Sequence, residues 1–184
     1  MKPGRIFIVA GISGSGKGTV SDKLIERHKN LVRPISVTSR TPRPGERFAA
    51  HYYFVDKTIF EWLIETEQLL EHTTVWMSHY YGSLRLSVEQ SLKEGSDVLF
   101  EVNTHGIEQI TAVFPTTKTV FIQAPSEAEQ RIRLELRGTV GAEQDERVQG
   151  AKSELEWAEA HKLHIVTNDD LGRTLEEIEA YFEL

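Results

Sequence analysis

The sequence predicts an α/β fold of three layers, with a central parallel sheet flanked by helices and a small, mostly β insertion. Three observations predict it. Short apolar runs at Ile6–Ala10, Asp97–Val102, Thr119–Ile122 and His164–Val166 are separated by helical patterns, as buried parallel strands joined by crossover helices are. The first run passes directly into Gly-Ile-Ser-Gly-Ser-Gly-Lys-Gly-Thr, residues 11–19, and then into a helical pattern. Between Ser36 and Leu86 the long helical patterns give way to short alternating segments rich in Tyr, Phe, Thr and His.

The first element is the strand that feeds the loop. Gly11, Gly14, Gly16 and Gly18, with Ser13, Ser15, Lys17 and Thr19 between them, form a phosphate cradle. Glycines let consecutive N–H groups converge on phosphate oxygens, the following helix presents its positive end, and Lys17 reaches the outer phosphates. A tight strand-to-helix turn is the plain alternative. Strand, loop, lysine and helix in this order favour a nucleoside triphosphate. Gly18 stands where a hydroxyl residue usually meets magnesium, so Thr19, one place later, is the metal-ligand candidate. Val20, Leu24 and Ile25 recur at helical spacing and predict a helix from Lys17 to about Lys29.

Further helices carry start and stop signals. Thr58 with Glu61 and Ser126 with Glu129 read as capping boxes, Gly95 follows one helix and Pro115 ends another. Leu171, Leu175, Ile178 and Phe182 form one apolar stripe, a docking face for the last helix.

A length of 184 residues suits one domain, and a net charge of −7 argues against a general nucleic-acid binder. An anionic ligand must be held by local arginines and backbone amides. The absence of cysteine fits a reducing compartment, and no apolar stretch is long enough to cross a membrane. A soluble, cytoplasmic protein is expected. His161 and His164 lack a third ligand at metal-binding spacing.

In Ser36-Val-Thr-Ser-Arg40-Thr-Pro-Arg43-Pro-Gly-Glu46 two prolines hold the chain extended, with Arg40 and Arg43 three residues apart. That spacing suits two guanidinium forks on one phosphate. Solvated loop arginines are the alternative. This segment, followed by Tyr52-x-Phe54, Leu70-Glu71, Tyr80-Tyr81-Gly82-Ser83 and Asn168-Asp169-Asp170, resembles guanylate kinase over nearly the whole chain.

The resemblance implies an ATP:GMP phosphotransferase using magnesium, with ATP and GMP as substrates. It implies one domain, with a core of residues 1–35, 87–137 and 148–184, an acceptor-binding insertion at 36–86 and a lid at 138–147. Ser36, Arg40, Arg43, Tyr52 and Tyr81 would hold the acceptor phosphate. Glu71 and Ser83, with Gly82 in the same motif, would read the base: a carboxylate accepts N1–H and the 2-amino group while a hydroxyl donates to O6. A solvated strand residue is the plainer reading of Glu71. Asn168 would lie near the donor's adenine. Arg133, Arg137 and Arg147 would join Lys17 as catalytic groups, closing over the triphosphate. Arg133 and Arg137, one turn apart, could instead pair with Glu129 and its neighbours; Arg131 is read as such a surface pair.

The chain departs from the family at three places. Where the family has Asp-x-Asp-x-Gln-Gly, it reads Glu101-Val-Asn103-Thr-His105-Gly106, keeping one acid, Glu101, in the acceptor set and losing the second. Ala49 replaces a common glycine, and one residue is added around Trp76-Met77-Ser78. These changes leave open another small-molecule kinase, such as a sugar-phosphate kinase. A non-catalytic interaction module of the same fold is the third reading, and the intact phosphate loop opposes it.

Overall fold

The computed structural model describes residues 2–75 and 79–184. The residue added around 76–78 lies outside the described residues. In chain order the elements are β1 (Ile6–Gly11), α1 (Lys17–Arg27), β2 (Leu31–Val32), β3 (Ser36–Thr38), β4 (Tyr53–Phe54) and α2 (Lys57–Glu65). Next come β5 (Leu69–Val75), β6 (His79–Leu84), α3 (Arg85–Lys93), β7 (Asp97–Glu101) and α4 (Thr104–Val113). The chain ends with β8 (Lys118–Gln123), α5 (Glu127–Leu136), α6 (Ala142–Ala160), β9 (His164–Thr167) and α7 (Leu171–Phe182).

Five strands form the main sheet in the order β2-β7-β1-β8-β9, every pairing parallel. Both faces of β1 are buried, which is why its sequence is an unbroken apolar run and not an alternating one. Ile6, Ile8 and Ala10 pack with Ile107 and Ile110 of α4 and Ala151 and Ala158 of α6. Phe7 and Val9 face Val20 and Leu24 of α1 and Leu175, Ile178 and Phe182 of α7. These are the three layers. The stripe on the last helix docks as expected, with the Phe7 and Phe182 rings stacked at 4.6 Å.

The insertion carries a second sheet, ordered β4-β3-β6-β5, in which β3 and β6 and then β5 and β6 run antiparallel. It also holds a helix. Phe60 of α2 packs on Val37 and Leu69, closing a small separate core. The cap of α2 differs from the expected Thr58: Asp56 accepts Ile59 N–H at 2.8 Å, so Thr58 lies inside the helix. Ser126, by contrast, caps α5 as expected, accepting Glu129 N–H at 3.1 Å.

Two local features place functional side chains. Between Leu69 and Glu71 the ladder of β5 on β6 shifts register. The extra residue sends Leu70 into the main core and leaves Glu71 opposite Ser83. Ala49 adopts φ 60 in a bend closed by Ala49 N–H to the Tyr52 carbonyl at 2.9 Å. Alanine in this left-handed region costs about 1–2 kcal/mol, which explains why a glycine suits the position. The segment expected as a lid at 138–147 is mostly helical: α6 begins at Ala142, leaving 138–141 as the irregular turn. No helix among the described residues is long and apolar enough to cross a membrane.

Candidate active site

The C-terminal ends of β1 and β7 open onto a cleft of about 540 Å³ whose lining includes Lys17, Glu71, Tyr81, Glu101 and Glu154. Open parallel sheets bind ligands at this edge. On its main-sheet side lies the loop of residues 11–19. Gly14 and Gly16 have φ 82 and 89, and a Cβ on Gly16 would come 2.5 Å from Asn168 Nδ2. Only glycine allows that closeness. The loop is tied from outside: the Ser15 carbonyl accepts Asn168 Nδ2 at 2.7 Å and Arg133 Nη1 at 3.3 Å, and the Ser13 carbonyl accepts Gln130 Nε2 at 2.8 Å. The Ser15 hydroxyl is buried with no hydrogen-bond partner among the described residues. Gly11 ends β1, and Gly18 and the exposed Thr19 lie in the first turn of α1, where backbone N–H groups have no intrahelical acceptor.

Lys17 lies in this cleft with its pKa lowered by burial, a shift opposed by the carboxylates of Glu101 and Glu154 and reinforced by Arg137 and Arg147. Lys17 is thus a desolvated cation among two acids and two arginines. Arg133 is more engaged than expected: besides Ser15, it donates to Glu129 at 2.8 Å and to the Asn168 carbonyl at 3.0 Å. It both pairs with Glu129 and braces the loop. Arg147 donates to Ser13 Oγ at 3.1 Å and pairs with Glu143. Arg137 closes α5 as an exposed C-cap residue. Arg131 holds Glu127 and Asp145, the surface role expected of it.

Asn168 does not present its side chain to the cleft. Its Nδ2 goes to Ser15 and its Oδ1 accepts the Thr174 hydroxyl at 3.2 Å, so it serves as a strut between β9 and the loop.

On the opposite side of the cleft stand residues of the second sheet. Glu71 and Ser83 are 5% and 2% exposed, and the Ser83 hydroxyl donates to Glu71 Oε1 at 2.7 Å. Burial raises the Glu71 pKa, and the Ser83 hydrogen bond and His105 act against that rise. Ser36 pairs with Ser83 and Val37 with Gly82 across β3 and β6. A Cβ on Gly82 would meet the Glu71 carbonyl at 2.7 Å. The Tyr52 and Tyr81 rings meet edge to face at 6.0 Å.

Arg40 and Arg43 do not form the expected pair of open forks. Arg40 is 10% exposed and its fork lies on Glu46, Nη1 to Oε2 and Nη2 to Oε1, each at 2.9 Å. Arg40 and the backbone N–H of Arg43 hold the Glu46 carboxyl down to about 2. The Arg43 side chain is exposed.

The departures at 101–106 have structural consequences. Both oxygens of Glu101 face Gly18, 3.8 Å from where a Cβ would stand. Asn103 caps α4, its Oδ1 accepting Gly106 N–H at 3.0 Å while Nδ2 donates to Thr73 Oγ1 at 3.2 Å. A carboxylate could accept the first bond but not donate the second.

Glu154 was not anticipated from the sequence. Ala151 and Ala158 are buried, so the carboxyl at 154 lies on the inward stripe of α6, and burial raises its pKa while Lys17 lowers it. An acid on an apolar stripe was the available signal.

The guanylate kinase family model matches residues 3–184. The guanylate kinase of Caldanaerobacter subterraneus subsp. tengcongensis is 37% identical over 180 residues, 97% of this chain and 86% of that one. The crystal structure of guanylate kinase from Anaplasma phagocytophilum superposes with a TM-score of 0.76 at 28% identity, covering 99% of this chain and 86% of that one. A sugar kinase of Janibacter sp. shares the fold more distantly, with a TM-score of 0.53 at 14% identity over 98% of this chain and 95% of that one. With a match spanning the phosphate loop, the second sheet and the last helix, the chain belongs to the guanylate kinase family.

Proposed function

We propose that this chain transfers the γ-phosphoryl group of ATP to GMP, giving ADP and GDP. The observation that carries the reading is the buried Glu71–Ser83 pair, whose carboxylate lines the same cleft as Lys17. A base with two adjacent donors beside an acceptor satisfies that pair. Adenine lacks the donor pair and would leave the buried carboxylate without partners from the base. A sugar phosphate gives neither group a reason to be buried there.

The loop's N–H groups and Lys17 hold the triphosphate, and desolvation makes the Lys17 ammonium a stronger partner for phosphate than an exposed lysine would be. The buried Ser15 hydroxyl supplies one more donor at the cradle. Asn168, Arg133 and Gln130 keep the loop open by holding its carbonyls outward. On the acceptor side Ser36, Arg40, Arg43, Tyr52 and Tyr81 orient the monophosphate. One of its oxygens forms a bond to the γ-phosphorus as the bond from that phosphorus to the β–γ bridging oxygen breaks, and ADP leaves with that oxygen. The attacking group is already ionised, so no general base is required. Arg137 and Arg147 stabilise the charge spread over the transferring oxygens as 138–147 closes.

The residues present fit magnesium. Thr19 offers a hydroxyl in the first turn of α1, and Glu101 faces the space that Gly18 leaves free. Held there, the ion would neutralise charge on the phosphates. Cytoplasm is the compartment assigned by this reading.

A coupled ADP-release assay offering GMP, dGMP, AMP, UMP and ribose phosphates tests the proposal. Turnover is expected with GMP well above AMP, UMP and the ribose phosphates. Equal turnover across the panel, or none with GMP, would overturn it.

A further inference from the structure

Arg40 is the more enclosed of the two arginines of the acceptor half, yet little of its hydrogen-bonding capacity is left free. Of the five N–H groups on a guanidinium, Nη1 and Nη2 each give one to Glu46 at 2.9 Å. Nη1 gives its other to the Thr41 carbonyl at 2.7 Å, and Nε–H goes to the Tyr81 hydroxyl oxygen at 3.1 Å. One N–H on Nη2 is left over. The guanidinium also lies over the rings of Tyr52 and Phe54, at 5.6 and 5.9 Å.

Glu46 is anchored as firmly as its partner. Its Oε2 accepts Arg43 N–H at 2.7 Å, its own N–H donates to the Arg43 carbonyl at 3.0 Å, and Gly45, at φ 87, closes the turn between them. A carboxylate waiting to be displaced by a phosphate would not be bound into the backbone of its own turn.

We propose that Glu46 is a positioning residue for the acceptor phosphate. By taking the fork of Arg40 it directs Nε–H onto the Tyr81 oxygen. The Tyr81 hydroxyl hydrogen and the remaining Nη2 hydrogen then point outward, as donors for the phosphate. Arg40 and Glu46 together are a neutral pair, so the exposed guanidinium of Arg43 is the cation that meets the phosphate with a whole fork. The inference rests on the reading of this sheet as the GMP site.

The test is Glu46→Gln, which keeps the shape and loses one acceptor and the charge. KM for GMP is expected to rise about tenfold, with kcat and KM for ATP within about twofold, since the lost interaction is made to the bound acceptor. Guanosine, which has no phosphate, is expected to bind the variant as it binds the wild type. If Glu46→Gln does not fold, Glu46→Asp, with shorter reach, is expected to raise KM for GMP about threefold. An unchanged or lowered KM for GMP would overturn the proposal, and so would equal rises in both KM values, the mark of a merely structural role. Arg43→Ala and Tyr81→Phe separate the two readings. If they raise KM for GMP while Glu46→Gln does not, only the positioning role falls. If none of the three moves it, the acceptor site itself is misassigned and the proposal falls with it.

Discussion

The two halves of the cleft are built by opposite means. The donor side, on the proposed reading, is a backbone device: nine consecutive residues running from the end of a buried parallel strand into the first turn of a helix, held by struts from the end of β9 and from α5. The acceptor side is a side-chain device, gathered from β3, β5, β6 and the 40–46 turn, on a sheet whose own core is Val37, Phe60 and Leu69. A backbone cradle is rigid and indifferent to which base its phosphates carry. A side-chain pocket on a small core can read a base and can move. On the proposed function a division of labour follows: the first half fixes where phosphoryl transfer happens, and the second decides to what.

The largest expected effect sharpens that division. Lys17→Met should lower kcat by about 10³-fold, as loss of a preorganised charge at the reacting group does, with KM for GMP within about threefold. An equal change in KM would mean that the halves do not act separately. A smaller effect concerns stability. Burial raises the Glu71 pKa, so the fold favours the protonated acid. Its contribution is present below the ordinary carboxyl pKa, about 4.3, and is lost as pH rises through the raised folded value. Glu71→Gln should therefore melt like the wild type at pH 4 and at a higher temperature than the wild type at pH 8. Equal melting temperatures at pH 8 would show that the buried carboxylate carries no penalty in the free protein.

The difference between the halves also explains what could be read from the sequence. The phosphate loop is contiguous and its physics is local, so strand, cradle and helix were legible residue by residue, as were the buried runs of the main sheet. The residues proposed for the acceptor were picked out as a set through the family resemblance, which does not say how they bond. The fork of Arg40 on Glu46, the strut role of Asn168 and the inward carboxylate of Glu154 depend on partners that pairing alone reveals. The cap of α2 was misplaced for a simpler reason: Asp56 precedes Thr58 and reaches Ile59 N–H first. Asn103 reads in the sequence as a lost acid, whereas in the fold it is a helix cap that also donates to β5.

The central claim is that Glu71 reads the two adjacent donors of guanine. IMP differs from GMP only in lacking the 2-amino group, so the ratio of kcat/KM for GMP over IMP, compared between the wild type and Glu71→Gln, isolates that contact. The wild type should favour GMP by at least about tenfold, and the variant's ratio should fall towards one. A ratio that is the same in both proteins would contradict the assignment.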